Sequence, residues 1–241
     1  MIKKHLISSL YTFSSVFVVL ALTWTVLFKY NFFYGFWHDY GGIKETIEYF
    51  APKNQHISDF ENTTAAERNR VFQQISHAVH FNQNDLANIT FSPQQGIIKP
   101  MLHQREIIHL QDVATLISIL MVITTLMTMI WGYLLWQFKQ KSQPLPSLKK
   151  QCLQLLLSIF LLLVLTLTIG ATKVFYWLHE LIFPSGHQWF FYYQDSLMST
   201  LMSAPDLFGW IALEWLVLFV ISFCLLQWAT AKIYTTKNNT L

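Results

Sequence analysis

Residues 113–138 read VATLISILMVITTLMTMIWGYLLWQF, a run without a single acidic or basic side chain. A helix needs about 20 apolar residues to cross the hydrocarbon core of a bilayer, so this run predicts a transmembrane helix. Three further runs are comparably long and apolar: 6–28, 151–172 and 207–231, the last of which contains Glu214. Four such runs predict an α-helical membrane protein with four transmembrane helices.

The overall composition agrees with a membrane protein. Hydrophobic residues make up 53% of the chain and charged residues only 12%, whereas about a quarter of the residues in soluble domains are charged. The net charge of +3 is small, and the basic residues lie beside the apolar runs, which is typical of orientation signals. The chain has no Gly-rich phosphate loop or Walker motif. We therefore expect neither a nucleic acid nor a nucleotide as a partner.

Basic residues next to the apolar runs predict the orientation in the membrane. They are Lys3 and Lys4, then Lys139, Lys141, Lys149 and Lys150, and finally Lys232 and Lys237. Lysine-rich flanks stay on the cytoplasmic side, so both termini are predicted to be cytoplasmic. The predicted order is a first transmembrane helix in 1–29, an extracytoplasmic cap in 30–112, a second helix in 113–138, a cytoplasmic loop in 139–150, a third helix in 151–172, an extracytoplasmic aromatic-rich loop in 173–206, a fourth helix in 207–231 and a cytoplasmic tail in 232–241.

The predicted cap mixes two kinds of sequence. Polar runs such as 61–70 alternate with short apolar pieces such as 77–81 and 88–91. This mixture favours a small mixed α/β cap rather than another transmembrane helix.

Two histidines are predicted to meet at the outer face. Glu106, His109 and Asp112 are spaced three apart at the start of the second helix, so they share one side of it. His179 follows the third helix on the same predicted side. Histidine can act as acid and base near neutral pH, and Glu106 or Asp112 could orient it. The residues themselves leave open that all of these are interfacial groups without a reaction, or that they bind a metal with His103, although no HExxH motif is present.

Both predicted outer segments are rich in aromatic residues. We expect an aromatic-walled pocket for an acyl or glyceryl group, although an ordinary aromatic belt at the interface is the alternative. The residues predicted to line the pocket are Trp37, Phe175, Tyr176, Trp177, Phe183 and Trp189. Glu214 is expected to face the site or Lys173, since a carboxylate within a transmembrane helix needs protein or water around it. The alternative is that its side chain reaches outward from near the helix end, and no catalytic role is assigned to it.

Residues 184–187 read PSGH, a motif of lipid phosphatases. Those enzymes also need an upstream basic clamp and a downstream arginine, and no arginine follows position 187. We interpret the tetrapeptide as a loop. A phosphatase would need His187, whereas an acyl-transfer enzyme is expected to tolerate its loss.

Two blocks resemble the lipoprotein intramolecular transacylases (Lit). Residues 106–113, EIIHLQDV, are similar to that family's block of acid, histidine and Asp-Val at the start of the second helix. The second block runs from Phe175 to Phe208 and includes a histidine after the third helix, FPSGHQWFF, Asp195 and Pro205. The resemblance covers about 101–215 at the level of motifs, and 41–100 contain no matching motif.

The resemblance implies a function. It implies that His109 and His179 are the catalytic residues, in an enzyme of the bacterial cell or inner membrane with its active site on the extracytoplasmic side. The implied reaction moves the sn-2 acyl chain of a diacylglyceryl-modified lipoprotein to its N-terminal cysteine amine, giving the lyso-form. It needs membrane lipids around it but no cofactor and no metal. The alternatives are a lipid phosphatase or lipase and a non-catalytic lipid-binding or assembly factor.

Overall fold

The structure, a computed structural model, describes the backbone of residues 2–238 and the side chains of 6–234. Lys3, Lys4 and Lys237, which contributed to the predicted orientation, lie outside the described side chains. The helices are α1 (Ile2–Lys29), α2 (Tyr34–Tyr40), α3 (Ile43–Phe50), α4 (Ala65–Phe81), α5 (Gln104–Gln140), α6 (Leu148–Ile169), α7 (Ala171–Ile182), α8 (Leu197–Met202) and α9 (Asp206–Asn238). Two short strands, β1 (Thr90–Phe91) and β2 (Lys99–Pro100), pair antiparallel.

Four of the described helices are long and apolar enough to cross a membrane: α1, α5, α6 and α9. This confirms the four predicted transmembrane helices. Two helix boundaries differ from the predicted ones. The second long helix, α5, begins at Gln104 and not at 113, and the third, α6, ends at Ile169 and not at 172. Gly170 follows with a φ of +97°, a left-handed conformation that favours glycine, and α7 begins directly after it. His179 therefore lies on a separate helix.

The chain divides into two compact units, of which the first comprises 1–25, 120–178 and 215–241. Its core includes Val19, Leu155, Phe219 and Phe223. Polar side chains also join its helices, since Gln227 donates to Ser15 Oγ at 2.7 Å and accepts from Tyr11 at 3.3 Å. Such bonds hold helices together in lipid, where the apolar effect between helices is weak.

The outward surface of α6 is apolar. Leu161, Leu162 and Leu163 are between 53% and 67% exposed, which would be costly in water. A hydrocarbon environment satisfies these side chains, so their exposure agrees with a transmembrane position for α6.

One contact in the first unit was not predicted. The Sγ atoms of Cys152 on α6 and Cys224 on α9 lie 3.5 Å apart. Both cysteines lie in or beside apolar runs of the sequence, and their positions along the chain do not show that their side chains meet.

The second unit comprises 26–119 and 179–214, and it holds the predicted histidines. Its core packs α2, α3, α4 and α8 together, with Tyr34 stacked on Phe72 at 4.4 Å. The hydroxyl of Tyr34 donates to the Leu201 carbonyl at 2.9 Å and so ties α2 to α8. Thr64 caps α4 by accepting from the Glu67 N–H at 3.1 Å.

Residues 30–112 are mostly helical, and the described strands are confined to the two-residue pair β1–β2. The position of residues 30–112 outside the membrane stays a prediction, and so does the cytoplasmic position of both termini.

Candidate active site

His109 and His179 both contact the same aromatic ring, that of Phe183. The Phe183 ring centroid is 5.0 Å from that of His109 and 5.3 Å from that of His179. His109 also interacts electrostatically with His179 and with Asp112. The fold therefore brings together the two histidines that the sequence had placed at one level.

Further aromatic rings surround these histidines. Trp189 lies 4.8 Å from His179 between ring centroids, and Phe191 lies 5.8 Å from His109. Phe191 is buried, whereas both histidines are half-buried. Phe183 and Trp189, two of the residues predicted to line a pocket, are thus beside the histidines. Phe191 was not singled out, although it ends the same aromatic motif.

Three other aromatic residues were predicted to line the pocket. Phe175, Tyr176 and Trp177 belong to the first unit and are all exposed. An exposed aromatic surface on a membrane protein also fits an interfacial belt. Their place in a pocket stays a prediction.

Trp37 is paired with the fourth long helix. Its indole N–H donates to Glu214 Oε1 at 2.5 Å, and its ring stacks on Trp210 at 4.7 Å. The second carboxylate oxygen of Glu214 is buried without a hydrogen bond to any described residue. Glu214 was expected to face the site or Lys173, and the hydrogen bond found for it is the one to Trp37.

Glu106 is fully buried, and three donors reach its carboxylate. The N–H of His103 donates to Oε2 at 2.8 Å, while the Ser196 hydroxyl and the Met198 N–H donate to Oε1 at 2.5 and 3.0 Å. Since His103 precedes α5 and Ser196 caps α8, the carboxylate joins the starts of two helices. Glu106 therefore has a structural role, because it holds the starts of α5 and α8 together.

Asp112 has a partner that the sequence did not suggest. Its Oδ2 atom lies 2.7 Å from Nδ1 of His187, the histidine of the PSGH loop. One of the two carboxylates that could orient His109 thus pairs directly with a different imidazole. The residues lie 75 positions apart, so no local pattern could have shown this pair.

A buried arginine in the second unit also escaped the sequence analysis. Arg68 donates to Thr63 Oγ1 and to the Glu61 carbonyl at 3.0 Å each, and to Nε2 of His38 at 3.3 Å. Because the arginine must donate, Nε2 of His38 accepts, and its Nδ1–H donates to Asp39 at 2.7 Å. Burial lowers the pKa of Arg68. No sequence signal pointed to it, because α4 carries both Arg68 and Arg70 and nothing in the pattern shows which of the two is buried.

Among the described residues, no three or more His, Cys, Asp or Glu side chains are arranged to hold a metal ion. The ligand set considered from the sequence is therefore not assembled into one cluster.

The chain is similar to proteins of one known family. The family model described as "Lipoprotein intramolecular transacylase Lit" matches residues 9–204. No curated protein matches the sequence significantly. Among solved structures, the membrane-integral lipoprotein intramolecular transacylase Lit from Bacillus cereus matches with a TM-score of 0.64 at 19% identity, covering 98% of each chain.

Two variants of that Bacillus cereus protein match similarly. A histidine-to-arginine variant and a histidine-to-alanine variant each give a TM-score of 0.67 at 19% identity. They cover 98% of this chain, and 93% and 96% of their own chains. At this identity the likeness shows a shared fold, and with the four long apolar helices it makes this chain an integral membrane protein. Since the family model spans most of the 241 residues, the chain belongs to the lipoprotein intramolecular transacylase (Lit) family of acyltransferases.

Proposed function

We propose that this chain moves the sn-2 acyl chain of a diacylglyceryl-modified lipoprotein to the α-amino group of that lipoprotein's N-terminal cysteine. The product is the lyso-form lipoprotein, and the reaction takes place at the extracytoplasmic face of the bacterial cell membrane. The observation that carries the proposal is the pair His109 and His179, held against Phe183 in a chain of this family.

The bond changes balance without a co-reactant. The amine nitrogen attacks the ester carbonyl carbon, a C–N bond forms and the C–O bond to the glyceryl group breaks. One proton leaves the nitrogen and one reaches the glyceryl oxygen, so the products are an amide and an alcohol. An ester becomes a more stable amide, and therefore the reaction needs neither a nucleotide nor a redox cofactor.

The two histidines suit the proton transfers. An α-ammonium group has a pKa of about 8, so a base of modest strength can deprotonate it at neutral pH. One of His109 and His179 takes this proton, and the other stabilises the tetrahedral intermediate or protonates the departing oxygen. General acid–base catalysis of this kind contributes on the order of 10²- to 10⁴-fold in rate.

Positioning supplies a further part of the acceleration. The ester and the amine belong to one molecule, so a site that confines them gains from a high effective concentration. Aromatic rings surround the two histidines: Phe183 contacts both, Trp189 contacts His179 and Phe191 contacts His109. These rings can exclude water and hold acyl and glyceryl groups. Excluding water also disfavours hydrolysis of the ester.

The proposal is tested by mass spectrometry of a lipoprotein N-terminal peptide. The host is a strain that lacks its usual N-acylating enzyme and expresses the wild type, His109→Ala or His179→Ala. We expect the wild type to move the acyl chain from the glyceryl group to the cysteine nitrogen and both variants to leave the diacyl form.

Other outcomes point to other functions. A wild type that is inserted in the membrane but leaves the diacyl form unchanged would contradict the proposal for that substrate. Release of a free fatty acid would indicate a hydrolase. Full function of both single variants would favour a lipid-binding or assembly role.

A further inference from the structure

His187 lies in a tight turn that directly follows Phe183 in the sequence. Its backbone N–H donates to the Pro184 carbonyl at 3.1 Å, and Gly186 has a φ of +93°, a left-handed conformation that allows the chain to turn here. The turn presents the imidazole to α5, where Nδ1 lies 2.7 Å from Oδ2 of Asp112.

Asp112 connects this imidazole with the predicted site. It lies three residues after His109 on α5, so the two side chains share one side of that helix. His109 interacts electrostatically with Asp112 as well as with His179. The pair His187–Asp112 is therefore next to the two proposed catalytic histidines.

The hydrogen bond determines which nitrogen of His187 can react. A carboxylate can only accept, so Nδ1 carries the proton and Nε2 keeps its lone pair. Nε2 has no hydrogen bond to any described residue, and 42% of the His187 side chain is exposed, against 17% for Asp112. A shielded carboxylate behind an accessible imidazole is the arrangement that fixes the tautomer and the orientation of a general base.

We propose that His187 is the general base of the transfer and that Asp112 is its positioning residue. The inference rests on the proposed function and changes two of its expectations. His187 is no longer dispensable, and it takes the ammonium proton in place of His109 or His179. His187 Nε2 takes the proton from the α-ammonium group, and the neutral amine then attacks the sn-2 ester carbon. His109 and His179 are left to stabilise the developing oxyanion and to return a proton to the glyceryl oxygen.

A purely structural role would be the simplest rival. The hydrogen bond from His187 to Asp112 could only fasten the loop that carries Phe183 and Trp189. Gln188 makes a comparable tether, because it accepts from Arg105 Nη1 at 3.3 Å and has no titratable group. A Gln188→Ala variant is thus a matched control for loss of a loop contact without loss of a base.

The experiment uses the purified full-length protein in proteoliposomes with a synthetic diacylglyceryl-cysteine peptide. Initial rates and melting temperatures are measured for the wild type, His187→Ala, Asp112→Asn and Gln188→Ala, each with and without added imidazole. We expect His187→Ala to lose about 100-fold or more in rate with little change in melting temperature. Imidazole should restore part of that rate because the vacated position is accessible.

The controls separate the two roles. Asp112→Asn should lose less rate than His187→Ala, since the base remains but is poorly oriented, and Gln188→Ala should stay close to the wild type. A wild-type rate for His187→Ala would overturn this inference alone. So would a loss that imidazole does not restore and that Gln188→Ala shares. An inactive wild type would overturn the proposed function and this inference with it.

Discussion

Replacing Glu106 by glutamine distinguishes a structural carboxylate from one that serves the reaction. The side chain is fully buried, and it accepts from the His103 N–H, the Ser196 hydroxyl and the Met198 N–H. Glutamine has nearly the same shape but keeps only one acceptor oxygen. Whichever way the amide turns, an NH₂ group faces at least one backbone N–H, and that donor loses its partner.

The size of the effect follows from these contacts. Hydrogen bonds to a charged group are worth about 1.5–3 kcal/mol each, and neutral ones about 1 kcal/mol. The substitution weakens the bonds that remain and leaves one buried donor unsatisfied, while it also removes the cost of burying a charge. The net loss in the free energy of unfolding is therefore expected to be about 2–4 kcal/mol.

Thermal unfolding in detergent checks this value, with Glu180→Gln as the control because that carboxylate is exposed on α7. We expect the melting temperature of Glu106→Gln to be roughly 5 °C or more below that of the wild type. The melting temperature of Glu180→Gln should equal that of the wild type. At temperatures where Glu106→Gln is folded, its rate should stay close to that of the wild type. A normal melting temperature with a rate about 100-fold lower would refute the structural assignment and make Glu106 the supporting acid.

Two further predictions each test a contact within one of the units. The Arg70 guanidinium and the Ser92 N–H lower the pKa of Glu67 below its ordinary 4.5, so the carboxylate stabilises the second unit above that pH and loses this effect as the pH falls through the folded-state pKa. Glu67→Gln should thus be less stable at neutral pH and approach the wild type in acid; a pH-independent difference in melting temperature would contradict this. In the first unit, copper-phenanthroline should join Cys152 to Cys224, detected as a loss of two hydrogens by mass spectrometry and absent in Cys152→Ser. If both thiols stay free after prolonged treatment with copper-phenanthroline, the two sulfur atoms cannot reach bonding distance.

The amino-acid sequence alone determined the membrane class, the four transmembrane helices and the family. Each transmembrane helix follows from the composition of one continuous segment, because partition into lipid depends on the side chains of that segment and hardly on the rest of the chain. Family membership was likewise visible in two short blocks, and the family model confirmed it. The proximity of His109 and His179 could be expected because the predicted topology placed both on the same side of the membrane, one at the start of the second helix and the other after the end of the third.

Only the tertiary structure decided which partner each polar group has. Glu106 and Asp112 have the same chemistry and the same spacing from His109, yet one is buried between two helix starts and the other faces His187. Their partners lie 90 and 75 positions away along the chain. A buried polar group must find a donor or acceptor wherever the packing places one, and no periodicity in the sequence encodes that choice.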